Sequence, residues 1–418
     1  MEGDGRPNLG GMENAFSIKI MRRLIEYFAG RLHVDLIWTY VPAKQTKKGK
    51  QACSRSGDRI LGAWDILPNE LLGLVLMKLN VIDFLAFRGV CRSWRSASID
   101  ICKRFLERQQ PLVVAKPKYS KKACVLYNMF DEKSWKTMLP NLPCKKLLGL
   151  SCGYLITIDR HIGFWLVNLI TRHELHFPFL PASMHLSESI GEIYDFKVRA
   201  ALFRSSHSSR VFMILFSRDH NILLLSESGA SSWQEYRLPN TRSGISDVKI
   251  LDGKIFILTC DGLFGEFNPR SEPVLKLYNI KIPLQLSSQL YLQLVTSEKK
   301  IYTIVSRRLS PYLLSVRYTS LYELDYKMES VNQINELGSK SLFLSPFNSA
   351  LVDTTDWGAG NCVCVLEPIS SKECVFYHLN GNKLATIPIV WECRLTPYFW
   401  YFLSESWDIS CAGDEFGT

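Results

Sequence analysis

Residues 248–267 read VKILDGKIFILTCDGLFGEF, three short apolar runs separated by the pairs Asp252-Gly253 and Asp261-Gly262. Short runs rich in Val, Ile, Leu and Phe between turn residues are typical of β-strands. Asp-Gly pairs suit tight hairpin turns, because such turns need positive φ and glycine adopts it at low cost. The stretch therefore predicts three consecutive strands joined by hairpins.

Units of this kind recur along the rest of the chain. They begin near Leu147, Tyr194, Ser246, Tyr291 and Phe343, and one more occupies residues 112–143. Their spacing is roughly 45–50 residues, which is the range of propeller blades with four strands each. We predict an all-β, propeller-like domain over residues 111–405 with about five to seven blades. A pair of β-sandwiches is the alternative fold.

A region dense in helix signals precedes these repeats, from about Arg59 to Phe105. Apolar residues recur at helical spacing after Pro68, Asp83 is placed to cap a second helix, and Trp94 lies in a third. Three helices in so short a segment form a small core. The apolar face is therefore buried against a partner or against the following domain, and the pattern alone favours neither.

Two motifs within this region resemble the F-box. Trp64–Leu72 (WDILPNELL) is similar to the family's opening, and Asp83–Arg95 (DFLAFRGVCRSWR) is similar to its close. The later repeats resemble the kelch-like C-terminal domain of a large group of plant F-box proteins, on Leu342–Leu344, Asp353–Trp357 and Gly360–Val363. The resemblance predicts an α+β multidomain chain, with a three-helix F-box at residues 58–105 before the propeller.

The resemblance also implies partners. An F-box binds a Skp-type adaptor, and through it the cullin and RING subunits of a ubiquitin ligase, while the propeller binds a target protein. The adaptor contact is implied for Leu67, Pro68, Leu71, Leu72, Val75 and Leu79, supported or completed by Val90, Cys91 and Trp94. The chain would then be a non-catalytic substrate receptor in protein degradation. The alternative is a ligand-binding or enzymatic propeller whose F-box controls only its turnover.

Composition narrows the other classes of function. The formal net charge is +10, from 50 Lys+Arg against 40 Asp+Glu, but the basic residues are spread along the chain, so we do not expect nucleic-acid binding. The 12 cysteines show no paired zinc-ligand spacing and are expected to be reduced thiols. No apolar run reaches the length of a membrane span. We expect no metal, no cofactor and no catalytic residue.

Target binding is expected from loops on one face of the propeller, because rigid strands position loops that carry function. The candidate loops are 205–210, 237–244 and 354–360, and the candidate residues are Arg237, Arg242 and Trp357. Residues 1–57 are predicted to be a flexible basic extension, and residues 406–418 a C-terminal tail. We expect a nuclear or cytoplasmic location, with organellar targeting left open.

Overall fold

The computed structural model describes residues 38–40, 68–88, 90, 92–116, 122–139, 142, 146–159, 161–180, 198–204, 210–239, 241, 243–284, 290–308, 316–345, 347–357, 360–366, 373–388 and 398–405. Apart from 38–40, the predicted extension 1–57 lies outside these residues, and so does the predicted tail 406–418. The chain divides into two compact units: within the described residues, the second contains residues 39–40 and 110–405, and the first contains the other residues up to 109.

In its described part, the first unit contains α1 (Asn69–Leu76), α2 (Val81–Arg88) and α3 (Arg92–Glu107). Phe84 stacks on Phe105 with ring centroids 4.1 Å apart, and Phe87 stacks on Trp94 at 4.3 Å. The fully buried side chains of this core are Leu72, Leu76, Phe84, Phe87, Trp94 and Phe105. The three helices predicted from sequence are confirmed, and aromatic pairs between them hold the unit together.

The cap of α2 differs from the prediction. Asn80, not Asp83, is the residue that precedes the helix, and its side-chain carbonyl accepts a hydrogen bond from the Asp83 amide at 2.9 Å. The Asn80 side-chain amide donates to the Asp83 carboxylate at 2.6 Å. Asp83 therefore lies in the first turn, where its charge favours the positive end of the helix dipole. Either residue can cap a helix, so composition alone did not decide between them.

Six sheets form the second unit in the described part of the chain. Blade 1 contains, in sheet order, β1 (Trp38–Tyr40), β4 (Lys133–Met138), β3 (Ala123–Asn128), β2 (Leu112–Ala115) and β26 (Phe399–Tyr401). Blade 2 contains β5 (Lys146–Ser151), β6 (Tyr154–Ile158), β7 (Phe164–Asn168) and β8 (Glu174–His176). Blade 3 contains β9 (Val198–Arg204), β10 (Val211–Ser217), β11 (Ile222–Glu227) and β12 (Gln234–Arg237).

The last three blades continue the pattern. Blade 4 contains β13 (Ile245–Leu251), β14 (Lys254–Thr259), β15 (Phe264–Phe267) and β16 (Leu275–Leu277). Blade 5 contains β17 (Leu290–Ser297), β18 (Lys300–Arg308), β19 (Val316–Asp325) and β20 (Ser330–Ile334). Blade 6 contains, in sheet order, β22 (Ser349–Asp353), β21 (Lys340–Leu344), β23 (Cys362–Leu366), β24 (Glu373–Tyr377) and β25 (Lys383–Pro388). The predicted propeller is confirmed, with six blades.

The ring is closed by a strand from late in the chain. β26 pairs antiparallel with β2, with Val113 opposite Trp400, and so becomes the inner strand of blade 1. The inner strands of the other blades are β5, β9, β13, β17 and β22. Apolar clusters fill the seams between successive blades; one of them packs Phe164 of blade 2 against Trp233 of blade 3. With β26 in place, all six inner strands surround the axis and their edges are short and protected, which stabilises an all-β ring.

Buried polar contacts link the inner strands across the seams. The Arg199 guanidinium of blade 3 lies 3.3 Å from the Asp247 carboxylate of blade 4, and it donates to the Phe347 carbonyl at 2.5 Å. The other Asp247 oxygen accepts from the Leu294 amide of blade 5 at 2.8 Å. The Asn348 side chain then donates to the Trp400 carbonyl of blade 1 at 2.5 Å. These bonds tie blades 3, 4, 5, 6 and 1 around the axis.

Strand direction defines two faces of the propeller. We call the face where the inner strands begin the start face, and the face where they end the end face. In blade 3, Arg199 near the beginning of β9 marks the start face, and Arg204 marks the end face. The inner strand of blade 6 runs in the same direction as β9. Phe347, just before β22, accepts a hydrogen bond from Arg199, so both strands begin on the start face. Alternate loops in an antiparallel blade therefore fall on opposite faces.

Candidate functional site

Two leucines of α1 have exposed side chains. Leu71 is 48% exposed and Leu74 is 68% exposed, whereas Leu72 and Leu76 on the same helix are buried. Pro68, at the start of the helix, is also exposed. A helical period of 3.6 residues places positions 71 and 74 on one face and positions 72 and 76 on another. The helix thus has an inner leucine face and an outer one, and we call Pro68, Leu71 and Leu74 the leucine face.

The structure separates the residues predicted to bind the adaptor. Pro68 and Leu71 are exposed, whereas Leu72 and Trp94 are about 1% exposed and belong to the core of the helical unit. Half-buried positions are Val75, Leu79 and Val90. Leu67 and Cys91 lie outside the described residues. Leu72 therefore supports the helix from inside and, in this structure, does not present a contact surface as expected.

Leu74 is the residue that the sequence analysis missed. It follows Leu71 by three positions, so the two leucines share one helical stripe. Leu72 and Leu76 form a second stripe four residues apart. Treating every apolar residue of the helix as one face combined the two stripes. Register divides the leucines into two stripes, but only the structure shows that the stripe of Leu71 and Leu74 is the exposed one.

The predicted target-binding residues do not lie together. Arg237 is exposed at the end of β12, on the start face. Trp357 follows β22 on the end face, half-buried, with its ring 6.3 Å from Phe343 and 6.2 Å from Phe130. Arg242 lies outside the described residues. Trp357 is thus largely a packing residue of blade 6, with part of its ring accessible.

The strands that precede the three candidate loops do not all end on the same face. In blade 3 the strands alternate in direction, with β10 antiparallel to both β9 and β11, and β12 antiparallel to β11. β9, which precedes the candidate loop 205–210, therefore ends on the end face, and β12, which precedes the candidate loop 237–244, ends on the start face. Residues 354–357 follow β22 and lie on the end face, whereas residues 205–209, 240, 242, 358 and 359 lie outside the described residues. Sequence spacing does not reveal this alternation before the strand order is known.

The end face carries an exposed apolar side chain in the turn between β19 and β20. Met328 is 75% exposed there, next to Tyr326 and Lys327. The Tyr326 ring lies 5.8 Å from the Tyr278 ring, and the Lys254 ammonium lies 5.9 Å from the Tyr326 ring centroid. Met and aromatic residues are enriched at protein interfaces relative to the rest of the surface. This turn is the candidate contact surface that the sequence analysis did not select.

A hydrogen-bonded pair supports this turn from blade 4. The Tyr278 hydroxyl donates to the Glu266 carboxylate at 2.7 Å, and the Lys254 ammonium donates to the same carboxylate oxygen at 3.0 Å. Burial disfavours the Glu266 charge, but these two donors outweigh it and lower the pKa of Glu266. Burial, together with the hydrogen bond to Glu266, raises the pKa of Tyr278. The tyrosine and the carboxylate therefore stabilise each other in the fold.

Two features are absent from the residues that the structure describes. No helix within them is long and apolar enough to cross a membrane. No group of three or more His, Cys, Asp or Glu residues within them could hold a metal ion.

Family models match both units of the chain. A model for the F-box domain matches residues 64–106, and a model for the KIB1-4 beta-propeller matches residues 126–379. Curated relatives from Arabidopsis thaliana agree with this division. The F-box/kelch-repeat protein KIB1 is 22% identical over 289 residues, covering 67% of this chain and 72% of that protein.

Two more relatives from Arabidopsis thaliana are named as F-box proteins and have similar identity to this chain. A putative F-box protein is 22% identical over 309 residues, covering 67% of this chain and 77% of its own length. A probable F-box protein is 24% identical over 221 residues, but the match spans only 58% of that relative. Among solved structures, apo AztD from Citrobacter koseri aligns over 69% of this chain and 97% of its own. The TM-score of this alignment is 0.33 and the sequence identity is 9%.

Proposed function

The chain belongs to the KIB1-4 beta-propeller family and carries an F-box, and we propose that it is the substrate receptor of an SCF-type ubiquitin ligase. In this proposal the helical unit binds a Skp-type adaptor, which brings the cullin and RING subunits. The propeller binds the protein to be degraded. The chain itself supplies no catalytic group, and it acts in the nucleus or the cytoplasm.

The leucine face is the observation that carries this proposal. Leu71 and Leu74 project from the first helix of a unit that is too small to bury them in its own core. Fully burying one leucine side chain is worth about 1.5–3 kcal/mol, so two leucines can supply a substantial part of an adaptor's affinity. Such apolar anchors typically dominate the energy of a protein interface.

The adaptor test uses a double variant, Leu71→Glu with Leu74→Glu. Burying two uncompensated carboxylates should weaken the affinity of the chain for a purified Skp-type adaptor by at least about a hundredfold. Each tenfold loss of affinity corresponds to about 1.4 kcal/mol. Isothermal titration with the full chain measures the affinity, and far-ultraviolet circular dichroism checks that the helices persist. The matched control is Met328→Glu, which makes the same chemical change at an exposed apolar residue of the propeller and should bind normally. Equal affinity of the double variant and the wild type would rule out this surface.

We place target recognition on the end face. It contains Met328, Tyr326 and the accessible part of Trp357, which are residue types that concentrate at interfaces. Repeat scaffolds use their strands for stability and the connecting loops for binding. Arg237, on the start face, is then a control position.

The target test compares proteins captured in cells by proximity labelling, with the proteasome inhibited. Proteins labelled by the wild type and by the Leu71→Glu, Leu74→Glu variant, but lost with Met328→Glu, are candidate targets. Arg237→Glu should retain them. Loss with Arg237→Glu and retention with Met328→Glu would move the binding surface to the start face.

A further inference from the structure

A cavity of about 390 Å³ lies on the axis of the propeller. All six blades contribute to its wall: the inner strands of blades 2 to 5, the residues just before β22 in blade 6, and Glu405, which follows the closing strand of blade 1. Cavities that bind small molecules typically measure about 300–1,000 Å³. The volume is therefore sufficient for a small organic ligand, and a ligand there would contact every blade.

Two charged groups of this wall are already committed to structure. Arg199 is 6% exposed and lies 3.3 Å from Asp247, which is 4% exposed. Arg199 also donates to the carbonyl oxygens of Ser246 and Phe347, at 3.1 and 2.5 Å. These contacts use most of the hydrogen-bond donors of the guanidinium and leave few of them for a ligand. The pair is part of the wall and of the ring closure.

Lys249 is placed differently. It lies on β13 two residues beyond Asp247, so both side chains point to the same side of the strand, toward the axis. Its ammonium group donates to the Ser349 carbonyl at 3.4 Å, and no carboxylate of the described residues lies within ion-pair distance of it. An ammonium group has three donors, so two of them make no hydrogen bond to the described residues and can serve a ligand in the cavity.

The electrostatics of the wall favour an anion. Its cationic side chains are Arg199, Arg204 and Lys249, and its acidic side chains are Asp247 and Glu405. The wall therefore carries one more positive than negative formal charge. Desolvation by the surrounding protein raises the pKa of Glu405, although Lys249 opposes the rise. A carboxyl group that is more readily protonated repels an anion less.

The Cys152 thiol at the same wall stays neutral. Burial, with a smaller contribution from Glu405, raises the pKa of Cys152 to about 12. Its Sγ contacts the Leu202 carbonyl at 3.4 Å. Cys152 therefore adds a neutral polar surface beside Lys249 and no negative charge.

We propose that the axial cavity is a binding site for a small organic anion, a carboxylate or a phosphate ester, whose charged group is bound by Lys249. This site is independent of the adaptor surface and of the ligase role. Because the ligand would bridge all six blades, its binding would stabilise the closed ring.

Thermal unfolding of the full chain tests the site. The probes are malate and glycerol phosphate at millimolar concentration, with glycerol as the uncharged analogue and sodium chloride at equal ionic strength. At least one anion should raise the Tm of the wild type by ~2–4 °C with a saturating dose dependence. The two anions distinguish a carboxylate from a phosphate ligand.

Three variants separate specific binding from general salt effects, because excluded anions also stabilise proteins without a site. Lys249→Met should abolish the saturating shift, and Lys249→Arg should retain it, since it keeps the charge. Lys276→Met, which removes an exposed lysine from the outer strand of the same blade, should behave as the wild type does. If neither anion shifts the wild type, or if Lys249→Met and the wild type shift equally, the axial site is refuted. Should Lys249→Met lower the Tm without ligand, the response of Lys249→Arg still decides the question.

Discussion

Removing the charge of Asp247 tests how the propeller ring is held closed. The carboxylate lies 3.3 Å from Arg199, and both side chains are nearly inaccessible to solvent, at 4% and 6%. Asp247→Asn keeps the size of the side chain and leaves the Arg199 guanidinium as a buried charge without its counter-charge. Breaking a buried ion pair in this way typically costs about 3–5 kcal/mol. With an unfolding entropy of about 2.1 cal/mol/K per residue over roughly 300 residues, the expected loss in Tm is ~5–8 °C.

Thermal denaturation of the full chain, followed by β-sheet circular dichroism, measures this loss. The matched control is Asp131→Asn, the same chemical change in a pair where Asp131 is 47% exposed and lies 3.5 Å from Lys133, which is 49% exposed. Exposed pairs contribute at most about 1 kcal/mol, so the control should move Tm by under ~2 °C. Combining Asp247→Asn with Arg199→Met should cost less than the sum of the two single losses, because no unpaired charge remains. Equal Tm values for Asp247→Asn and Asp131→Asn would refute the ring-closing role of the pair.

Three further substitutions probe local structure. Asn80→Ala should destabilise the helical unit by ~1 kcal/mol, because the cap of α2 is lost, and urea titration of its helical signal measures the change. Trp94→Ala should cost ~3–5 kcal/mol and unfold that unit, so retained helicity and adaptor affinity would contradict its place in the core. Tyr278→Phe should cost ~1.5–3 kcal/mol near neutral pH, through the lost hydrogen bond to Glu266. Since the fold lowers the pKa of Glu266 and raises that of Tyr278, this difference should shrink as pH falls below about 4.5 or rises above about 10. A difference that does not vary with pH would mean that packing causes it.

The sequence predicted the fold class because two of its patterns correspond to structural units. The repeat of about 45–50 residues corresponds to one blade, and the turn pairs between apolar runs correspond to the hairpins within a blade. The repeat near Leu147, Ser246 and Tyr291 marks inner strands, since each blade must again begin with an apolar run at the axis. The Asp252-Gly253 pair forms a hairpin with positive φ at both residues, as its chemistry predicts. Blade 6 could not be predicted in this way, because β21 pairs in parallel with β23, while β22, which lies between them in sequence, pairs with the other side of β21 and forms the inner strand. That order depends on contacts between blades, which local patterns do not encode.

The candidate surfaces were less predictable, for a different reason. An apolar residue on a helix can face the unit's own core or a partner. Leu71 and Leu72 are adjacent in sequence, yet Leu71 is exposed and Leu72 is buried. Register separates them only after the core is known. Lys249 carried no signal at all in the sequence, because one lysine in a strand is ordinarily a solvated residue. Its position on the axis follows from closure of the ring.

The topology also orders the formation of the two binding surfaces. The helical unit is built from contacts between residues 69 and 107, all close in sequence, and such local contacts form fast. The ring closes only when Val113 pairs with Trp400, near the other end of the propeller. Chains fold from the N-terminus during synthesis, so the leucine face is complete while blade 1 still lacks its inner strand. Glu405 completes the axial cavity immediately after that strand. The cavity wall and the closed ring are therefore finished together, after the adaptor surface, and a ligand that binds the cavity stabilises only chains whose propeller has closed.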